Sequence, residues 1–253
     1  MSAAPNATPH AWIDRIRLNA ADPDALGEFF AAALGFTPAS NGLLHLGETR
    51  LEIARAPPGA APAPGSLPGD NLAFQHFAIA TPDLDAAYAR LRASPGWEPI
   101  SRGGPQHLPQ REGGAVAFKF FDPEGHPLEL IAFPGRPPRP PYIDHSAISV
   151  SNGDASIAFY AGVGFAFNAA QDNFGPEQAA LDDIVGARVR VISLRGVKAP
   201  NIELLAYSDP HPRAARSSPD DILATRLVLA APAGGSPARL IEDPDGHLLQ
   251  IGG

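Results

Sequence analysis

Two histidines and two glutamates stand at matching places along this chain. His76 lies in FQHFAIA and His145 in IDHSAISV, each near the start of an apolar run; Glu129 lies in PLELIAF and Glu203 in IELLAYS. An ionised carboxylate inside an apolar strand is costly unless it is paired or binds a cation. A neutral imidazole next to it supplies the nitrogen donor that transition metals favour. His76, Glu129, His145 and Glu203 are therefore candidate metal ligands. Taken singly, each is more commonly a hydrogen-bonded or salt-bridged core residue. Their recurrence at equivalent places is what argues for a metal.

The elements that must position them come from an internal repeat. IDRIRLNAADPDALGEFFAAALGF (13–36) and IDHSAISVSNGDASIAFYAGVGF (143–165) each read as strand, polar turn and amphipathic helix ending at Gly-Phe. Asp22 or Asp24 caps the first helix and Asn152 or Asp154 the second, and a glycine precedes Phe36 and Phe165 where a helix C-terminus wants positive φ. FQHFAIATPDLDAAYARLRA (74–93) is a third copy, and ATRLVLAAP (224–232) a fourth whose helix is replaced by AGGSPARL. Each unit closes with strands, two of them introduced by DPxGH turns in FDPEGHPLELIAF and IEDPDGHLLQIGG. The expected domain plan is a tail at 1–12, module 1 at 13–60, module 2 at 70–134, a Pro-rich linker at 135–142, module 3 at 143–208 and a shortened module 4 at 220–253. The fold class is α+β: tandem βαβββ modules forming two cupped mixed sheets.

Aligning the first strands superimposes Arg15, His76, His145 and Arg226; aligning the last superimposes Glu52, Glu129, Glu203 and Gln250. Paired in chain order, each cup would place an arginine where a ligand belongs, and a fixed guanidinium repels a divalent ion at close range. Pairing module 2 with module 3 gathers both histidines and their glutamates, and leaves Arg15, Glu52, Arg226 and Gln250 to a cup without metal. The nested pairing is favoured.

Bulk properties narrow the classes of function. There is no cysteine, so disulfides, thiolate metal sites and cysteine nucleophiles are out. A net charge of −8 with scattered basic residues argues against nucleic acid. No run approaches the ~18 apolar residues of a membrane span. MSAAPNATPHAW lacks the features of a signal peptide, which points to the cytoplasm. The expected partner is a small molecule, and the shortened fourth module suits either a partly open second cup or a homodimer surface.

The LGF helix stop at 34–36, the DPEGHPLEL and DPDGHLLQI endings and the strand-one histidines together resemble the vicinal oxygen chelate superfamily of glyoxalases, epimerases, extradiol dioxygenases and bleomycin-resistance proteins. The resemblance spans nearly the whole chain and is specific for the fold more than for one reaction. It implies one divalent ion (Ni, Co, Mn, Fe or Zn) on His76, Glu129, His145 and Glu203, the ligand set of bacterial glyoxalase I. It also implies isomerisation through a metal-stabilised enediolate, as in a lyase or isomerase, with Glu129 or Glu203 detaching to act as base. A Fe(II) extradiol dioxygenase is the alternative, and a metal-free small-molecule or drug-binding protein a third. Two stretches, 102–114 and 168–183, read as loops bordering the cup, with Gln106 and Gln178 as substrate contacts. Phe74 and Phe118 are candidate pocket walls, though packing is the commoner use of phenylalanine. His126 and His247, in the DPxGH turns, read as structural, Tyr142 as packing by the linker and His107 as a loop residue.

Overall fold

The computed structural model describes residues 8–112, 114–214, 218–230 and 238–252. In chain order the first unit contains β1 (Ile13–Ala20), α1 (Pro23–Leu34), β2 (Thr37–Pro38), β3 (Leu43–Leu46) and β4 (Thr49–Arg55). The second contains β5 (Gln75–Ala80), α2 (Leu84–Arg92), β6 (Glu98–Pro99), β7 (Gln106–His107), β8 (Val116–Phe121) and β9 (Pro127–Ala132). The third has β10 (Tyr142–Ser149), α3 (Gly153–Gly162), β11 (Ala166–Phe174), α4 (Pro176–Asp182), β12 (Arg188–Arg195) and β13 (Asn201–Asp209). The last has β14 (Arg226–Leu229), β15 (Arg239–Glu242) and β16 (Leu248–Ile251). Of the stretch AGGSPARL that replaces a fourth helix, 233–237 lie outside the described residues, as do 1–7 of the expected tail, and Arg239 and Leu240 open β15.

The helix boundaries follow from local chemistry. Asp22 accepts the N–H of Ala25 to cap α1, Pro23 begins it, and Gly35 ends it at φ 78, where the Phe36 N–H reaches back to the Phe30 carbonyl. Asp83 and Asn152 cap α2 and α3 in the same way. These helices lie between the backs of two sheets. One continuous core takes Phe29 and Phe30 of α1, Leu91 of α2, Tyr160 of α3, Ile16 and Leu51 of one sheet, and Phe77 and Leu130 of the other.

The sheets pair the units in nested fashion. One runs β15-β16-β14-β1-β4-β3-β2 and joins first to fourth; the other runs β11-β12-β13-β10-β5-β9-β8-β6 and joins second to third. Their registers correspond residue for residue. His76 faces Ala147 and His145 faces Ala78 across β5 and β10; Arg15 faces Val228 and Arg17 faces Arg226 across β1 and β14. In the parallel neighbours, Glu129 lies beside Ala78, Glu203 beside Ala147, Glu52 beside Arg17 and Gln250 beside Val228. The four-fold alignment of Arg15, His76, His145 and Arg226 is thus a true structural equivalence.

The DPxGH turns clasp the two sheets together. His126 places Nε2 3.0 Å from the carbonyls of both Asn19 and Ile222, and Nδ1 2.8 Å from Asp122. His247 does the same toward the Ser149 carbonyl at 3.0 Å. Asn19 and Ser149 hold matching places in β1 and β10, six residues after Ile13 and Ile143. Glu124 of the first turn accepts the N–H groups of Ala21 and Asp22, and Asp245 of the second accepts that of Ser151. Both histidines are structural pins, which is why the motif occurs twice. Among the described residues, no helix is long and apolar enough to cross a membrane.

Candidate metal centre

Strand alternation decides which side chains enter the second–third cup. On β8, Phe118 and Phe120 point to the helices while Ala117 and Lys119 point the other way; β9 sends Glu129 and Ile131 into the cup and Leu128 and Leu130 to the core. The cup encloses a cavity of ≈ 230 Å³ lined by His76, Lys119, Glu129, His145, Gln178 and Glu203, among others.

Among the described residues, His76, Glu129 and His145 are the one group of candidate ligands whose donor atoms all lie within 4.8 Å of each other. Glu129 Oε2 is 3.5 Å from Nε2 of both histidines, and Glu203 Oε2 is 3.5 Å from His145 Nε2. These spacings are long for a ring N–H···O bond, which sits near ~2.9 Å. Two donors each ~2.1 Å from one ion at a roughly tetrahedral angle stand ~3.4 Å apart. The group therefore has the spacing of ligands sharing a cation. His76 makes the same point: both ring nitrogens are buried and neither has a hydrogen-bond partner. Leaving a buried polar atom unpaired costs ~1–3 kcal/mol, and a metal ion would satisfy one of them.

The electrostatics divide the four residues. Burial is the main reason His76 is pushed down to about 4, and its contact with Glu129 offsets this only in part, so the ring is neutral and ligand-ready at pH 7. Burial acts on His145 in the same sense, but Glu203, Asp144 and Glu129 outweigh it and hold the imidazolium well above the ordinary histidine range. Its proton supplies the positive charge that three carboxylates require. Burial opposes ionisation of Glu129, yet His145, His76 and Lys119 overcome it and keep the carboxyl far below the usual range. Glu203 goes the other way: burial lifts it, and the pull of His145 does not compensate.

Three contributors were not singled out from sequence. Asp144 accepts from His145 Nδ1 at 3.0 Å and from the Tyr142 hydroxyl at 2.7 Å, which fixes the ring so that Nε2 faces the cavity. Its position next to His145 in IDH was the available signal. Lys119 is 4% exposed and donates to Asp182 at 2.7 Å; a lone lysine within AVAFKFF was its mark. Asp182 belongs to α4. The stretch 168–183, read above as a loop, is instead the edge strand β11 followed by α4. Four consecutive residues of β11, Phe167 to Ala170, are exposed whatever their polarity, so no alternation shows, and Pro176 opens the helix after Gly175 at φ 104.

The expected substrate contacts lie in different places. Gln106 is outside the cavity lining; its Nε2 donates to the carbonyls of Arg102 and Gly104 and closes its own loop. Phe118 packs among Tyr88, Trp97 and Phe120 on the helix side. Phe74 buttresses the His76 ring edge-on at 5.5 Å and does not line the cavity. Gln178 does line it, with its amide engaged by Asn173 and Asp182. Tyr142 lies beside the linker under Arg139 and His107 is exposed.

In the first–fourth cup the equivalent carboxylate is consumed. Glu52 Oε2 accepts from Arg15 Nε at 2.5 Å, with Arg17 3.5 Å from the other oxygen, and Arg226 donates to the Pro219 carbonyl.

Residues 12–130 match the family described as Glyoxalase/Bleomycin resistance protein/Dioxygenase superfamily. Over the whole fold the chain is similar to glyoxalase I from Zea mays, with TM-score 0.66 and 16% identity, covering 96% of this chain and 92% of that one. It is also similar to a putative dioxygenase from Bacillus subtilis, with TM-score 0.55 and 13% identity, covering 98% and 86%. By sequence, no curated protein matches it. The first two units thus match that superfamily's model, and the whole chain has the fold of a four-unit glyoxalase-like protein.

Proposed function

We propose that this chain is a metal-dependent vicinal oxygen chelate enzyme that isomerises a small substrate bearing two adjacent oxygens, in the manner of a glyoxalase or epimerase. The observation that carries this reading is His76, neutral and buried with both nitrogens unpartnered, at ligand spacing from Glu129. His76, Glu129 and His145 would hold one divalent ion (Ni, Co, Mn, Fe or Zn), His145 giving up its Nε2 proton to do so, with Glu203 as a fourth, displaceable donor. When bound, such an ion polarises a carbonyl and stabilises negative charge developing on the neighbouring oxygens.

The chain's own groups do the rest. Glu203 is half-buried with a raised pKa, and suits the base: its carboxylate takes the proton from the carbon next to the carbonyl and returns it on the neighbouring atom. A positioned base of this kind contributes ~10²–10⁴-fold. Glu129, held ionised, stays with the cation. Asp144 keeps the His145 ring in place, and Leu108, Ala115, Ile131, Leu181 and Leu205 give the cavity dry walls.

A second reading draws on one particular observation. The closest group, His76, His145 and Glu129, is two histidines and one carboxylate, the set that ferrous oxygenases use. Metal analysis of the purified protein, of His76→Ala and of His145→Ala tests both enzymatic readings against metal-free binding. The expected result is one ion in the parent and none in either variant; full metal content in both variants overturns the assignment. Deuterium wash-in at the carbon next to the carbonyl of 2-hydroxy aldehydes then supports the isomerase, and oxygen uptake with catechols under Fe(II) supports the dioxygenase.

A further inference from the structure

Among the described residues, the buried Lys119 ammonium has one hydrogen-bond partner. An ammonium carries three N–H donors; here Asp182 takes one at 2.7 Å, and the side chain lines the same cavity as His76 and Glu129. Asp182 is held in turn on its other oxygen, where Gln178 Nε2 donates at 2.6 Å and the Tyr207 hydroxyl at 2.8 Å. A carboxylate only accepts, so Asp182 fixes which end of the Gln178 amide faces it. The Gln178 oxygen is thereby left to accept from Asn173 Nδ2 at 3.2 Å. A chain of defined polarity, Asn173–Gln178–Asp182–Lys119, runs along α4 from β11 on one rim of the cup to β8 on the other. It immobilises the lysine without occupying its remaining donors. Exposed Arg136 adds a second cation to the same cavity lining, in a chain whose net charge is −8.

We infer that Lys119 is a specificity-determining residue that binds a substrate carboxylate. The substrate class is then a small oxyacid with two adjacent oxygens at one end and a carboxylate at the other, sized for a cavity of ≈ 230 Å³. The inference rests on the reading of this cup as the reactive site. Lys119 stands on β8 directly across from Glu129 on β9 and lines the same cavity, so its ammonium is offered to a molecule whose vicinal oxygens meet the His76–Glu129–His145 group. Charge-assisted bonds to the uncommitted N–H groups are about twice as strong as neutral ones, which selects a carboxylate over a hydroxyl or amide.

Calorimetric titration of the metal-loaded full chain with malate and with lactate tests this, because the two probes share the 2-hydroxy-acid head and differ by one carboxylate. Malate is expected to bind at least ~10-fold more tightly than lactate, with Lys119→Met abolishing that ratio. Equal binding of the two probes, or an undiminished malate preference in Lys119→Met, overturns the inference. If Lys119→Met strands the Asp182 carboxylate and fails to fold, Lys119→Met/Asp182→Asn removes both charges and is judged by the same two outcomes. Metal content is measured on each sample. A chain that binds its ion but shows no malate preference sinks this inference alone, and a chain without the ion sinks the proposed function whatever the probes do.

Discussion

Glu129 and Glu203 occupy equivalent strand positions and both face His145, yet their surroundings drive them apart. Burial opposes ionisation of both; two histidines and Lys119 outweigh it at Glu129, whereas at Glu203 burial, joined by the charges of Glu129 and Asp144, prevails over His145 and Lys119. On the proposed function, the pair separates into ligand and base for that reason. Glu129→Gln is expected to lower metal affinity by more than ~10-fold, read by competition with a chelating dye. Glu203→Gln is expected to retain the ion and to lose ~10²–10⁴ in turnover; metal loss on a par with Glu129→Gln would reverse the roles. Asp144→Asn removes the anion behind His145 and leaves the ring in place, so metal affinity should fall ~10–100-fold with little change in thermal midpoint. A binding constant that does not move would show that the Asp144 contact is incidental. At this scale the sequence exposed the ligand candidates, since imidazoles and carboxylates in apolar strands are conspicuous. It concealed their division of labour, which depends on Lys119 and Asp144 arriving from other directions.

At the scale of elements, what was legible followed from strong local codes. Caps at Asp22 and Asn152 and the stop at Gly35 were readable because each satisfies backbone groups within a turn of itself. Helix α4 was not readable: seven residues long and opened by proline, it gains its place from contacts to β7, β8 and β11. The DPxGH turns were visible as motifs but their purpose was not, because the carbonyls they seek lie about a hundred residues away. That purpose has a pH signature. His126 faces a carboxylate on Nδ1 and two carbonyls on Nε2, all acceptors, so the ring donates from both nitrogens as an imidazolium. Burial opposes this charge, and Asp122 with the Asn19 carbonyl outweighs it, raising the pKa above 6.5. A raised folded-state value means the clasp contributes fully below the unfolded pKa and is lost as pH rises through the folded one. The stability advantage of the parent over His126→Gln should therefore be largest near pH 5–6, at ~1–3 kcal/mol, and shrink as pH is raised further. Thermal melts of both chains across that range check it, and a gap that widens with rising pH would contradict the imidazolium assignment.

The whole molecule is one cup built twice and put to different ends. Corresponding registers place Arg15 where the other cup has His76, Arg226 where it has His145, Arg17 where it has Ala78 and Gln250 where it has Glu203. Backbone geometry therefore does not forbid a metal in the first–fourth cup; its guanidinium groups do. They repel a divalent ion and hold Glu52, the one carboxylate at a ligand position there. If this account is right, four substitutions should be enough to change the count of bound ions. Arg15→His and Arg226→His supply imidazoles, Gln250→Glu supplies the missing acid, and Arg17→Ala removes the cation that faces Arg226 across the strands. The quadruple variant should bind two divalent ions per chain where the parent binds one, measured by equilibrium dialysis. Adding His76→Ala to the quadruple variant should leave only the engineered site. A folded quadruple variant that still binds a single ion would mean that the cups differ in backbone shape as well as in charge, and that their common register is not sufficient to transfer function.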